Sequence, residues 1–226
     1  MEVIKKFYNK NIREVSKQNG GITARRSKII GDWINTSKVI LDVGCNDGSE
    51  NKYLLGQGKK IFGIDISVQA VKRAVAGGII AKVCDISTEK IPFPKNKFDC
   101  VIAGEIIEHI IDTDDFLLKL RSVLKPKGIL VVTTPNLASL GRRLLLLLGK
   151  NPFIETSLKQ KIWGSTPVGH LRYFTAESLK SLIEANGFLV QEITSDYLAM
   201  GPVVSAYLGR LFPTLGWRLI LKAKKR

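Results

Sequence analysis

The sequence predicts a doubly wound α/β fold, a mostly parallel sheet with helices on both faces. Three observations carry that expectation. Between residues 38 and 133, strand-like and helix-like segments alternate. The strand-like runs, GILVV among them, are near-continuously apolar, as strands covered on both faces are. The first run passes through an acid into a tight glycine-bearing bend and a helix start, Leu41 to Glu50, LDVGCNDGSE.

Residues 2–18 and 22–34 read as amphipathic helices separated by Asn19-Gly20-Gly21. Lys38 to Asp42 is a buried strand, and Ser49 to Leu55 starts a helix that Gly56 and Gly58 stop. Ile61 to Asp65 is the second strand, and Ser67 caps a helix through Ala76. Ile79 to Val83 and Phe98 to Ala103 are the third and fourth strands. Helix Thr113 to Leu124 ends at Lys125-Pro126-Lys127-Gly128, and Ile129 to Thr133 is the fifth strand. After Pro135-Asn136 the rhythm breaks, and residues 137–169 contain no clear strand. It resumes with GHLRYFT, a helix Ala176 to Ala185 capped by Thr175, and a strand Phe188 to Thr194. Tyr197 to Phe212 reads as an apolar helix stopped by Pro213, and Trp217 to Ala223 as a closing strand.

A chain of 226 residues, 45% hydrophobic, fits a single domain with a large core and excludes disorder. Its three cysteines show no metal-ligand spacing, and no metal is expected; they read as small buried thiols in a reducing compartment. The N-terminus has no apolar core of signal-peptide length, and no run of 18 uncharged apolar residues occurs. The net charge of +15 is unevenly placed. Residues 1–37 carry 8 basic and 3 acidic groups, residues 38–136 carry 14 and 12, and residues 137–226 carry 13 and 5. A near-neutral centre with basic flanks points to an acidic partner: a phosphorylated substrate, an anionic membrane surface or nucleic acid.

The bend after the first strand has ligand-binding chemistry. Gly44 and Gly48 admit close backbone approach and positive φ, and Asn46 tolerates the left-handed region. The spacing is not the G-x-G-x-x-G of a dinucleotide site, and Asp42 would repel a pyrophosphate. S-adenosylmethionine (SAM) has no phosphate and carries an ammonium that a carboxylate accommodates. Asp65, closing the second strand, can accept both ribose hydroxyls. Asp85 in CDIS can accept from an adenine amino group, with Ile86 against the ring. Three acids at the carboxyl ends of successive strands lie where open α/β sheets bind ligands.

These motifs together resemble the class I SAM-dependent methyltransferases, specifically the ubiquinone/menaquinone-biosynthesis-like (type 11) group. VILDVGCNDGSE resembles the first motif, IFGIDIS the second, FDCVIAGEIIEHI the fourth-strand motif and LKPKGILVVTTPN the fifth. The likeness covers residues 38–136, with an echo in GHLRYFTAESLKSLIEANGF; Asn46 replaces the usual middle glycine of the first motif. The resemblance implies a Rossmann-like, seven-stranded sheet with N-terminal helices and a helical insertion after strand 5. It also implies SAM contacts from Asp42, Gly44, Cys45, Asn46 and Gly48, from Asp65, Ile66, Asp85 and Ile86, and from Gly104 and Glu105. In such proteins an upstream arginine can meet the SAM carboxylate; Arg25 and Arg26 are the candidates by position.

Methyl transfer to a hydroxyl benefits from a general base. The chain has two histidines, His109 in GEIIEHI and His170 in GHLRYF, and both are candidates. Glu105 joins them as a catalytic candidate, sharing a face with His109 if that turn is helical. Arg142-Arg143 followed by Leu144 to Leu148, and the apolar stretch 198–221, form the substrate side and suit a membrane interface or a lipid tail. The expected function is methylation of a small-molecule, glycan or lipid-linked acceptor at oxygen, by a cytoplasmic protein in peripheral contact with an anionic membrane. The alternatives are an RNA or protein methyltransferase and a non-catalytic SAM-binding protein. AGEIIEH in place of an Asn/Asp-Pro-Pro-aromatic motif weakens the nucleic-acid reading.

Overall fold

A computed structural model describes residues 20–152, 169–200 and 203–226. Helix α1 (Gly20–Trp33) leads into β1 (Val39–Val43), β2 (Lys60–Asp65), α2 (Val68–Ala76), β3 (Ile80–Val83) and β4 (Phe98–Gly104). Helix α3 (Thr113–Val123), β5 (Leu124–Pro135) and α4 (Leu140–Leu147) follow. The chain then builds α5 (Ala176–Ala185), β6 (Phe188–Thr194), β7 (Leu198–Met200), β8 (Val203–Ser205), α6 (Ala206–Leu211) and β9 (Arg218–Lys225). Seven strands form one sheet in the order β3-β2-β1-β4-β5-β9-β6. Strands β1 to β5 pair in parallel, and β9 runs antiparallel to both β5 and β6. This is the doubly wound seven-stranded sheet that the motifs imply.

The pleat sends successive side chains to opposite faces, and that assigns the core. Ile40, Ile61, Cys100, Ile102, Val131 and Ile220 pack under α1 through Ile30 and Ile34. Their sequence neighbours Leu41, Phe62, Val101, Val132, Leu219 and Leu221 pack under α3 and α5, against Phe116, Leu120, Leu179 and Ile183. Asp42 shares the parity of Ile40, so it faces α1.

Local chemistry explains the boundaries. Ser67 accepts from the Ala70 amide and starts α2, Asp112 accepts from the Asp115 amide and starts α3, and Thr175 and Ser178 form a reciprocal cap on α5. Three expectations change. The helix expected from Ser49 is a 3-10 turn over Lys52–Gln57, where the Leu54 amide bonds the Asn51 carbonyl and the Gly58 amide the Leu55 carbonyl, each three residues back. Lys125 to Gly128 lie within β5, at a register shift between its pairings with Phe98 and Cys100. Tyr197 to Phe212 is a β7–β8 hairpin followed by a six-residue helix; β-branched Val203 and Val204 and the Gly201-Pro202 pair oppose a continuous helix. The break after β5 holds α4, an eight-residue helix, in keeping with the helical insertion expected there. The helix expected over 2–18 falls outside the described residues. All three cysteines are buried and unbridged, and burial pushes each thiol up.

Candidate active site

The carboxyl ends of β1, β4 and β5 open under α1 into a cavity of about 130 Å³. Arg26, Asp42, Gly44, Cys45, Asn46, Gly104, Glu105 and Thr133 are among its lining residues. The bend that forms its floor is held from below: the amides of Gly44 and Cys45 both donate to the Ile64 carbonyl. Gly44 sits at φ 71°, and a Cβ there would stand 3.1 Å from Ile106 Cδ1. Gly48 sits at φ 77°, a strained value for any other residue, and a Cβ there would come within 2.2 Å of Ile79 Cδ1 and force that side chain to shift. Asn46 takes φ 47°, the left-handed value that asparagine tolerates.

Each acid at the strand tips has a defined environment. Asp42 is buried and accepts from Asn51 Nδ2 at 2.8 Å. Burial pushes its carboxyl up to about 7, against the Asn51 hydrogen bond. Asp65 accepts the Asn46 amide on Oδ2 (2.9 Å) and the Ser67 amide on Oδ1 (2.8 Å). These bonds hold its carboxylate beside the bend. Burial raises its pKa despite them. Asp85 accepts the Ser87 amide, and Ile86 is buried in the core. Asp65, Ile66, Asp85, Ile86 and Gly48 support or flank the bend but do not line the enclosed part of the cavity.

These residues fit SAM. The enclosed volume is smaller than a whole nucleoside-sized ligand needs, which matches the methionine end alone. Of the two arginine candidates, Arg26 is buried in the wall of the cavity and pairs with Glu50 at 2.5 Å, while Arg25 is exposed. Arg26 would face the methionine carboxylate, Asp42 and Glu105 its ammonium, and Asp65 the ribose hydroxyls.

Glu105 and His109 do not share a helical face. Glu105 takes φ 54°, and only Ile107–His109 form a 3-10 turn. The Glu105 carboxylate accepts from Thr133 Oγ1 at 2.8 Å and pairs with Arg218 Nε at 3.0 Å. Burial would raise its pKa, but Arg218, Arg26 and Thr133 outweigh burial and hold it below the usual range. Arg218 also meets Asp196 at 2.9 Å. Three residues on, Glu108 is 1% exposed and points to the other face. Its Oε2 accepts from Thr134 Oγ1 at 3.1 Å, and burial with the nearby Glu105 charge drives its pKa well above normal. The GHLRYF segment is zipped to this turn: the amides of Leu171 and Arg172 donate to the Glu108 carbonyl, and Arg172 Nε to Ile110. That brings His170 Nε2 to 3.8 Å from Glu108 Oε1 and sets the two imidazoles 4.9 Å apart. His109 Nδ1 donates to the Gly169 carbonyl at 3.2 Å.

The sequence reading missed Asn51, Thr133, Glu108, Asp196 and Arg218. The adjacent threonines at the end of GILVVTTPN and the lone arginine in WRLIL were the available signals, polar groups in otherwise buried strands.

A methyltransferase-domain family profile matches residues 13–193. The chain is 30% identical over 163 residues to the human mitochondrial ubiquinone biosynthesis O-methyltransferase, covering 68% of this chain and 42% of that protein. It is 29% identical over 194 residues to the 2-methyl-6-phytyl-1,4-hydroquinone methyltransferase of Synechocystis sp., covering 82% and 58%. The chain thus spans about half the length of these curated relatives. Among solved structures, a SAM-dependent methyltransferase of Thermotoga maritima, a possible histamine N-methyltransferase, superposes with a TM-score of 0.70 at 16% identity over 98% of this chain and 99% of that one. The Synechocystis magnesium protoporphyrin IX methyltransferase, solved with S-adenosylhomocysteine, gives 0.66 at 15% identity over 100% and 99%. With its strand order, glycine-bearing bend and family match in agreement, the chain belongs to the methyltransferase-domain family and has the class I SAM-dependent methyltransferase fold.

Proposed function

We propose that the protein transfers a methyl group from SAM to a hydroxyl oxygen of a small apolar acceptor of the hydroquinone or phenol class. The observation that carries this reading is the separation of two polar groups across one turn. Asp42, Glu105 and Arg26 line the donor cavity, while Glu108, His109 and His170 gather on the opposite side of residues 104–110. Bound SAM supplies an electrophilic methyl on a sulfonium with a neutral leaving group. Asp65 and the 44–48 bend orient the donor, and Glu105, kept ionised by Arg218, serves its ammonium rather than acting as a base. The acceptor's proton is the task of the His109–His170 pair, with Glu108 behind it. The apolar ring class is favoured by the named substrates of the relatives and by the side chains beyond the site.

Helices α4 and α6 carry exposed apolar side chains. Leu146, Leu147 and Leu148 at the end of α4, with Tyr207, Leu211 and Phe212 of α6 and its cap, are exposed alongside Arg143, Lys150 and Arg210. No acid occurs in 140–150 or 197–217. This composition suits an anionic membrane interface that delivers an apolar-tailed acceptor. No helix among the described residues is long and apolar enough to cross a membrane. Co-sedimentation with anionic vesicles at low salt, lost at high salt, is the expected outcome; equal recovery with neutral vesicles removes the membrane part.

The deciding experiment incubates the protein with isotopically labelled SAM and a panel of prenylated hydroquinones, simple phenols and free glycans. A one-methyl mass shift on a hydroquinone or phenol, with release of S-adenosylhomocysteine, is expected. No binding of SAM by calorimetry, or binding unchanged in Asp65→Ala, overturns the reading.

A further inference from the structure

Away from the donor bend, near the amino ends of β2 and β4, three lysines gather over three phenylalanines. Phe62 of β2, Phe98 of β4 and Phe93 between them have ring centroids 5.3, 5.5 and 5.6 Å apart and interplanar angles of 71–82°, each pair edge to face. Lys97 lays its ammonium 3.8 Å from the Phe62 centroid, 5.0 Å from that of Phe93 and 5.6 Å from that of Phe98. Lys60 Nζ lies 5.6 Å from the Phe62 centroid, and Lys82 Nζ 5.0 Å from that of Phe93. Through these shared rings both outer ammoniums stand within about 10 Å of Lys97, one Debye length in ordinary salt. The pleat explains the convergence. Lys60 shares a face of β2 with Phe62, and Lys82 shares a face of β3 with Ile80, the residue paired to Phe62. Lys82 also donates to the Pro92 carbonyl at 3.1 Å, which turns it back over Phe93. Aromatic faces attract an ammonium but leave its charge in place. Among the described residues no carboxylate pairs with any of the three lysines. Asp99, two positions from Lys97, gives its oxygens to the Lys38 and Val39 amides and to Lys125. Partial burial, with the like charges of Lys60 and Lys82, holds the Lys97 pKa below its usual value.

We propose that Lys60, Lys82 and Lys97 form a binding site for a di- or triphosphate group. Like charges held close repel one another, and an anion with several charges in a short length relieves all three lysines at once. A carboxylate or a single sulfate meets fewer of them. Lysine serves phosphate as a point charge with three donors, so no planar fork is needed. The phenylalanine corner restricts the swing of the Lys97 side chain before any ligand arrives, so less freedom is lost on binding. The cluster is open to its ligand: β3 is the edge strand, and Lys60, Ile80, Lys82 and Val83 are exposed. It is built from none of the residues that line the donor cavity, so it takes its ligand independently of SAM.

The test titrates the full chain with inorganic triphosphate at low salt, with and without S-adenosylhomocysteine, and follows it by calorimetry. One equivalent is expected in both cases, bound roughly tenfold tighter than sulfate and weakened by added salt. Lys60→Gln, Lys82→Gln and Lys97→Gln should each weaken it by about two- to fivefold, and the three together should abolish it. Lys60→Gln, at an exposed position, carries the test if Lys97→Gln disturbs the rings, and circular dichroism checks folding in each case. A charge-matched control replaces the exposed Lys28, Lys72 and Lys180 by Gln and should bind as the native protein does. As a second readout, triphosphate should protect Lys60, Lys82 and Lys97 from acetic anhydride, mapped by mass spectrometry, and leave the control lysines reactive. ATP binding as tightly as triphosphate assigns recognition to the phosphates alone, and tighter ATP binding names a nucleotide as their source. The site is overturned by an absence of triphosphate binding, by equal loss in the control variant, by competition from S-adenosylhomocysteine, or by a lack of protection. None of these outcomes bears on methyl transfer, which stands or falls on SAM.

Discussion

Glu105 and Glu108 lie three residues apart on one turn, yet they occupy opposite electrostatic worlds. The donor face under α1 is compensated: Glu105 has Arg218 at 3.0 Å and Thr133 at 2.8 Å, and Arg218 is shared with Asp196. The opposite face, below α3 and α5, gives Glu108 one hydroxyl and a histidine at 3.8 Å. The pleat of β5 produces the difference. Thr133 and Thr134 are consecutive and point to opposite faces, so each glutamate receives one of them. The arginine arrives on the donor face because Arg218 has the parity of Ile220, which packs there. One side of the turn thus has its acids paired with a cation, and the other keeps a buried carboxylate oxygen without a hydrogen-bond donor.

Breaking the compensation should have the largest effect. Arg218→Met leaves half-buried Glu105 and buried Asp196 without their cation, making this face resemble the Glu108 side. A loss of about 3–5 kcal/mol of stability is expected in denaturant unfolding. Glu105 should then titrate higher, and SAM affinity should fall.

A pH series sharpens the contrast within the donor face itself. The folded Asp42 carboxyl holds its proton to about 7, whereas its ordinary value is 3.8. Unfolding therefore releases a proton across that window. This contribution to stability is complete below about pH 4 and declines as pH rises to 7, by about 3 kcal/mol. Asp42→Asn should flatten the decline, which thermal melts at closely spaced pH values would measure. An equal slope in the variant would assign it to another group.

Gly48→Ala probes the bend without touching charge. At φ 77° with a Cβ 2.2 Å from Ile79 Cδ1, it should cost about 1–3 kcal/mol and weaken SAM binding. Gly56→Ala, with open space around its Cβ, should cost far less. A modest effect is expected from Thr134→Val, about 1 kcal/mol, since it removes a single hydrogen bond to Glu108. A much larger loss would mean that Glu108 is ionised in the free protein.

Local order was legible in the sequence because it depends on neighbours in the chain. The buried runs gave the strands, Ser67 and Thr175 gave their helix starts, and Gly44, Asn46 and Gly48 gave the bend, all through short-range sterics and capping. The acids at the strand tips followed, since a strand's end fixes where its last side chain lies. Where local signals conflicted, as in Tyr197 to Phe212, hydrophobicity suggested a helix, and β-branched Val203 and Val204 pair in an antiparallel ladder instead. Pairings across the sheet were beyond reach. That Arg218 meets Glu105, and that His170 meets Glu108, depends on β9 inserting between β5 and β6 and on Arg172 bonding the 110–111 carbonyls. Sequence alone determined the donor bend, because its geometry is written in adjacent residues. Only the tertiary structure decided which buried carboxylate is neutralised and which is left waiting, because charge compensation depends on distance in space.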